Sequence, residues 1–194
     1  MIHNTLNFIG FQVCWFACVL GAASGLHWAG VMAVSVWVIT HLMLALSKSD
    51  PGYSIRSEIT LLIVAALVGY LLDSLLTISG CITFIDDSAW GRPSTLWMTA
   101  MWVNFATTLN HSMSWAVKHP YIGIALGFVG GPLAYWAGHQ FGAIQLAKPM
   151  AASLTLIAIE WATAMALFTS LTRKINPFTA SSNTLKTESA EASL

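Results

Sequence analysis

The chain has 194 residues, of which 56% are hydrophobic and only 8% charged, with a mean hydropathy of +0.69. Water-soluble domains carry roughly 25% charged residues, so the composition excludes cytosolic enzymes, secreted disulfide scaffolds and disordered chains. Eight basic and eight acidic side chains cancel, which leaves no basic field to attract a phosphate backbone and excludes nucleic-acid binders as well.

The remaining class is an all-α polytopic membrane bundle. A helix needs about 20 mostly apolar residues to cross about 30 Å of hydrocarbon, and the chain carries about six such runs, at 7–24, 28–46, 58–79, 95–117, 121–142 and 150–171. The N-terminal MIHNTLNFIGF lacks the basic region of a signal peptide, so the first run is read as a retained span. Only Gly25, Leu26 and His27 separate it from the second, which requires a tight hairpin. Asp50-Pro51-Gly52 marks the next turn. The stretch GCITFIDDSAWGRPS (80–94), with an amphipathic start and the Asp86-Asp87 pair, is expected to lie on the bilayer surface. Lys118-His119-Pro120 ends the fourth run, since proline cannot continue a helix without losing a hydrogen bond. Residues 1–174 are read as one transmembrane domain, and the small, polar stretch 175–194 as a disordered cytoplasmic tail.

Cytoplasmic segments hold the excess of Lys and Arg. Lys48, Arg56, Lys118, Arg173, Lys174 and Lys186 fall on the side of the termini, against Arg92 and Lys148 on the other, so both termini are expected in the cytoplasm. Trp15, Trp37, Trp102 and Trp161 fall near mid-span, where an indole N–H must find a partner or face a cavity.

The six runs contain no Lys or Arg but do contain Asp73 and Glu160, and a carboxyl in a span belongs on the bundle interior. Both are candidate catalytic groups and proton carriers. On the fourth run, Asn104, Thr107, Thr108, His111 and Ser114 recur at three- and four-residue spacing and share one face. His111 is the candidate general base, since imidazole exchanges protons near neutral pH; Asn104, Thr108, Asn110 and His41 are candidate binding groups. By depth, Asp73 lies in the outer third, Glu160 and Asn104 in the middle, and His111 with His41 in the inner third, so one polar track is expected to join them. Interhelical hydrogen bonding is the plain alternative for each.

Gly123, Gly127 and Gly131 repeat every fourth residue, which lets helix backbones approach closely, within the chain or in a homo-oligomer. Gly130-Gly131-Pro132 is expected to kink or break that helix. Cys14 and Cys18 sit one turn apart but make only half of a metal site, and packing is the better reading. No HExxH, His-x-Glu or desaturase histidine box occurs, so no metal site is assigned and no cofactor is implied.

The stretches NFIGFQVCWFACVLGAA (Asn7 to Ala23), GYLLDSLL (Gly69 to Leu76), LWMTAMWVNFATTLNHSMSW (Leu96 to Trp115) and GGPLAYWAGHQFGA (Gly130 to Ala143) together resemble a family of short bacterial inner-membrane proteins classed as a domain of unknown function. The resemblance implies an all-helical multi-pass fold in the bacterial inner membrane and brings no activity with it. It also implies a gene neighbourhood near cyclopropane-fatty-acid synthase and photo-oxidative stress genes, hence work on membrane lipids or their protection. Three functions stay open: membrane-lipid modification or envelope stress response through a polar intramembrane site; a small proton-linked transporter built on Glu160 and a helix break at Gly130-Gly131-Pro132; and a non-catalytic partner of a lipid-modifying enzyme.

Overall fold

In a computed structural model of the chain, residues 2–46, 54–85 and 93–176 are described. They form α1 (Ile2–Ala23), α2 (His27–Leu46), α3 (Ile55–Ile78), β1 (Ile82–Phe84), α4 (Leu96–Leu109), α5 (Ser114–Lys118), α6 (Pro120–Gln140), β2 (Ile144–Leu146) and α7 (Met150–Ile175). The Asp50-Pro51-Gly52 turn, the Asp86-Asp87 pair and residues 177–194 of the expected tail lie outside the described residues. Ile175 and Asn176, placed in that tail by the sequence, instead complete α7 and its cap.

Among the described residues, α1, α2, α3, α6 and α7 are long and apolar enough to span a membrane, and the protein is a polytopic helical bundle. The expected fourth span is two helices. Fourteen-residue α4 covers about 21 Å at 1.5 Å per residue, too short to cross alone, and the turn at 110–113 separates it from α5. α4 packs against α1, α2 and α3, and Trp97, Met98, Trp102 and 104–109 are buried. Asn104, Thr107 and Thr108 of its polar stripe are therefore buried against other helices.

The long helices follow the contacts α1–α2–α3–α7–α6, an arc that is open between α6 and α1. α1 and α2 join through residues 24–26, where the Leu26 N–H donates to Gly21 O at 2.8 Å. Glycines close their approach: a Cβ on Gly30 would lie 2.5 Å from Cys18 Cα. Cys14 and Cys18 are thus buried packing groups of this hairpin.

α3 and α6 each end in a glycine with positive φ, Gly80 at 75° and Gly142 at 82°, the conformation that closes a helix and redirects the chain. Both redirected segments become strands, and β1 pairs antiparallel with β2 in the register Ile82↔Leu146, Phe84↔Ile144. Ile82, Phe84, Ile144 and Leu146 point inward while Thr83 and Gln145 stay exposed. The described start of the 80–94 stretch thus packs Ile82 and Phe84 into the core at one end of the bundle. Of the two outcomes expected at Gly130-Gly131-Pro132, a break is not formed, since α6 runs unbroken through Pro132.

Candidate functional site

The opening between α1 and α6 leads into a cavity of about 490 Å³, bounded also by α4 and α7. Phe16, Leu126 and Leu133 at its rim are exposed on the surface that would meet lipid. Trp15 and Phe16 approach Phe141 edge-on at 6.3 and 6.4 Å, which bridges the rim at one end. Deeper, Trp102 and Trp161 stack at 4.4 Å and 18°, and Tyr135 stands edge-on to Trp161 at 6.5 Å.

Glycine makes this wall possible. A Cβ on Gly69 would strike the Trp102 ring and one on Gly131 the Trp161 ring, so α3 and α6 carry no side chain where the two indoles sit. Behind the wall lies Asp73, fully buried. Its Oδ2 accepts from Trp102 Nε1 at 2.5 Å, and its Oδ1 accepts from the Tyr135 hydroxyl. Trp102 and Tyr135 line the cavity while Asp73 does not, so the carboxyl holds the hydroxyl and the indole of two lining residues from behind. Glu160, on α7, is within electrostatic reach of Asp73 and Tyr135, and its Oε1 is buried with no hydrogen-bond partner among the described residues. An uncompensated carboxyl there costs several kcal/mol, roughly, unless it holds a proton or a ligand donor.

A second polar cluster occupies the other end of α4. Thr108 O accepts the N–H of both His111 (3.0 Å) and Met113 (2.8 Å), and the chain turns at 110–113. The turn is held by side chains. Asn110 Nδ2 donates to Glu58 Oε2 at 2.7 Å, Asn176 Nδ2 donates to Asn110 Oδ1 at 3.1 Å, and Ser112 Oγ donates to Asn7 Oδ1 at 2.6 Å. Glu58 Oε1 then lies 2.8 Å from His41 Nε2 and 3.9 Å from His111 Nε2. Glu58 is fully buried, His41 4% and His111 8% exposed. The three ligand-type atoms lie within 4.8 Å of one another, the only such group of three among the described residues.

The single polar track expected from the sequence is not formed. Asp73 follows Glu58 by 15 residues on α3, about 22 Å along the axis, and the buried face between them carries Leu61, Leu62, Ala65 and Gly69. Asp73 and Glu160 thus share one site, His41 and His111 another. Asn104 belongs to neither: its Nδ2 donates to Phe11 O at 3.0 Å and ties α4 to α1. Thr108 Oγ1 donates to Phe105 O at 2.6 Å within its own helix. The sequence reading missed Glu58 and Tyr135. Glu58 stands in the first turn of α3, where an acid reads as an ordinary helix start, and Tyr135 reads as an interfacial aromatic.

The family described as "Protein of unknown function (DUF2878)" matches residues 4–167, and the chain belongs to it. No curated protein and no solved structure matches the chain.

Proposed function

We propose that this chain takes the apolar part of a membrane lipid into the cavity between α1 and α6 and serves membrane-lipid modification, with Tyr135 meeting the ligand's polar atoms, Asp73 orienting Tyr135, and Glu160 acting on that pair from outside the cavity lining. The observation that carries this reading is the cavity's shape and lining. It is about 490 Å³, within the roughly 300–1,000 Å³ of small-molecule sites. It is walled by aromatic and Met side chains, and its exposed rim lies on a lipid-facing flank. A water-soluble substrate has no reason to enter from that side. The transporter reading loses its main support, because α6 is unbroken at Gly130-Gly131-Pro132. The glycines offered for a homo-oligomer are spent inside the chain, since Gly123, Gly127 and Gly131 face α7.

Arg56, Lys118, Arg173 and Lys174 lie at the end of the bundle holding the start of α1 and the end of α7, and Lys148 at the end holding β1 and β2. On the charge rule the first end faces the cytoplasm of a bacterial cell and the second the outside, in the inner membrane.

The test is photo-crosslinking with a phospholipid bearing a diazirine on its acyl chain, with the protein in nanodiscs. Label should concentrate on Phe16, Leu126 and Leu133, and Ala134→Trp, which adds bulk in the cavity lining, should reduce it towards background. Label spread evenly over α2 and α3 and indifferent to Ala134→Trp would remove the proposal. Lipid profiles of deletion and Glu160→Gln strains then read the modification itself: both should change the same lipid class.

A further inference from the structure

We propose that His41, Glu58 and His111 bind a divalent first-row transition-metal ion, outside the lining of the lipid cavity. Such an ion holds N and O ligands at about 2.0–2.2 Å, which sets neighbouring ligand atoms roughly 3–3.5 Å apart. The separations of Glu58 Oε1 from His41 Nε2 (2.8 Å) and His111 Nε2 (3.9 Å) bracket that spacing, so a small shift of either ring closes the set. One imidazole would suffice to balance a buried carboxylate. Here two rings, edge to face at 4.7 Å and 87°, converge on the same oxygen.

The donor types select the ion. Two imidazoles and a carboxylate suit zinc or iron(II), whereas magnesium and calcium prefer all-oxygen shells. The surroundings also resemble those of a metal centre, because ligating carboxylates are themselves fixed by outer hydrogen bonds. Glu58 Oε2 is held by Asn110, and Asn110 by Asn176 at the end of α7. The ligands come from α2, α3 and the turn after α4, so the break in the expected fourth span is what delivers His111. A cavity of about 20 Å³ lined by Asn7, Trp37, His41 and His111 adjoins the cluster, enough for one water. Three protein ligands beside such a space describe a site with an exchangeable position, the arrangement of a catalytic rather than a purely structural ion.

The test uses the full chain in detergent, stripped with a chelator and titrated with cobalt(II), which reports by visible absorption and elemental analysis. The expected result is saturable uptake of one ion per chain, displaced by zinc, and lost in His111→Ala and Glu58→Gln. Asn110→Ala keeps all three ligands and should weaken binding about 10–100-fold, so the proposal stays testable if a ligand variant fails to fold. Cys14→Ser, Cys18→Ser and His139→Ala should bind like the parent. Absence of saturable uptake by the parent, or uptake unchanged in both His111→Ala and Asn110→Ala, overturns the assignment.

Discussion

Asp73 shows at the residue scale why a carboxyl survives inside a hydrophobic bundle. Both oxygens accept hydrogen bonds, from Trp102 Nε1 and the Tyr135 hydroxyl, and both donors come from other helices than α3. Removing one donor leaves a fully buried acceptor short of a partner, which costs about 1–3 kcal/mol. Tyr135→Phe should therefore destabilise the protein by that amount in a detergent unfolding titration. The same change made in an Asp73→Asn background should cost a different amount, with a coupling of about 0.5–3 kcal/mol; strict additivity would show that the hydroxyl and the carboxyl do not act as a pair. Asp73 and Glu160 were legible in the sequence because an acid amid apolar residues has no cheap explanation. The mid-span indoles were legible for the same reason: Trp102 found Asp73, Trp37 found Thr107 Oγ1 at 3.3 Å, and Trp15 and Trp161 line the cavity. Glu58 was hidden because position alone, without its neighbours in space, makes it an unremarkable first-turn acid.

Two helices show at the scale of the element how neighbours override local sequence. α6 contains Gly130-Gly131-Pro132 yet stays helical, while α4 stops at Leu109 with no proline or glycine nearby. A proline removes only one helical hydrogen bond, and the contact of α6 with α7 outweighs that loss. At 110–113 the unwound turn places Asn110 on Glu58 and Ser112 on Asn7, partners that a straight helix would not reach. Local propensity could not anticipate the stop of α4, since it is decided by other helices, whereas a continuous α6 is one of the two outcomes left open by Gly130-Gly131-Pro132. The glycines of α6 divide accordingly. A Cβ on Gly127 would sit 2.6 Å from the Trp161 carbonyl oxygen, whereas one on Gly130 meets nothing within 4 Å. Gly127→Ala should cost about 1–3 kcal/mol by overpacking, because backbone cannot step aside. Gly130→Ala should be neutral or stabilising by up to about 1 kcal/mol from helix propensity. Thermal unfolding of the two variants side by side checks this, and equal effects would mean that α6 is rotated relative to α7.

The whole molecule has two chemically different ends, and its connectivity ties them to opposite faces of a membrane. α3 and α6 each lead into a strand, and because β1 pairs with β2 these two helix ends must lie on one side. The start of α1 and the end of α7 meet the 110–113 turn through Asn7–Ser112 and Asn176–Asn110, which puts them together on the other. Long hydrophobic runs made α1, α2, α3, α6 and α7 readable in the sequence; the pairing of two three-residue strands was not, since nothing local distinguishes Ile82–Phe84 from loop. Exposed positions on the two ends give a direct test. In a background with Cys14, Cys18 and Cys81 replaced by Ser, Thr83→Cys and Gln145→Cys should both react with a membrane-impermeant maleimide added to spheroplasts. Arg173→Cys should react only after lysis. Reaction of all three in the reverse sense would invert the orientation argued from charge while leaving the fold intact. A difference between Thr83→Cys and Gln145→Cys would be more serious, because strands on opposite sides of a bilayer cannot share hydrogen bonds, and the closed end of the cavity would go with them.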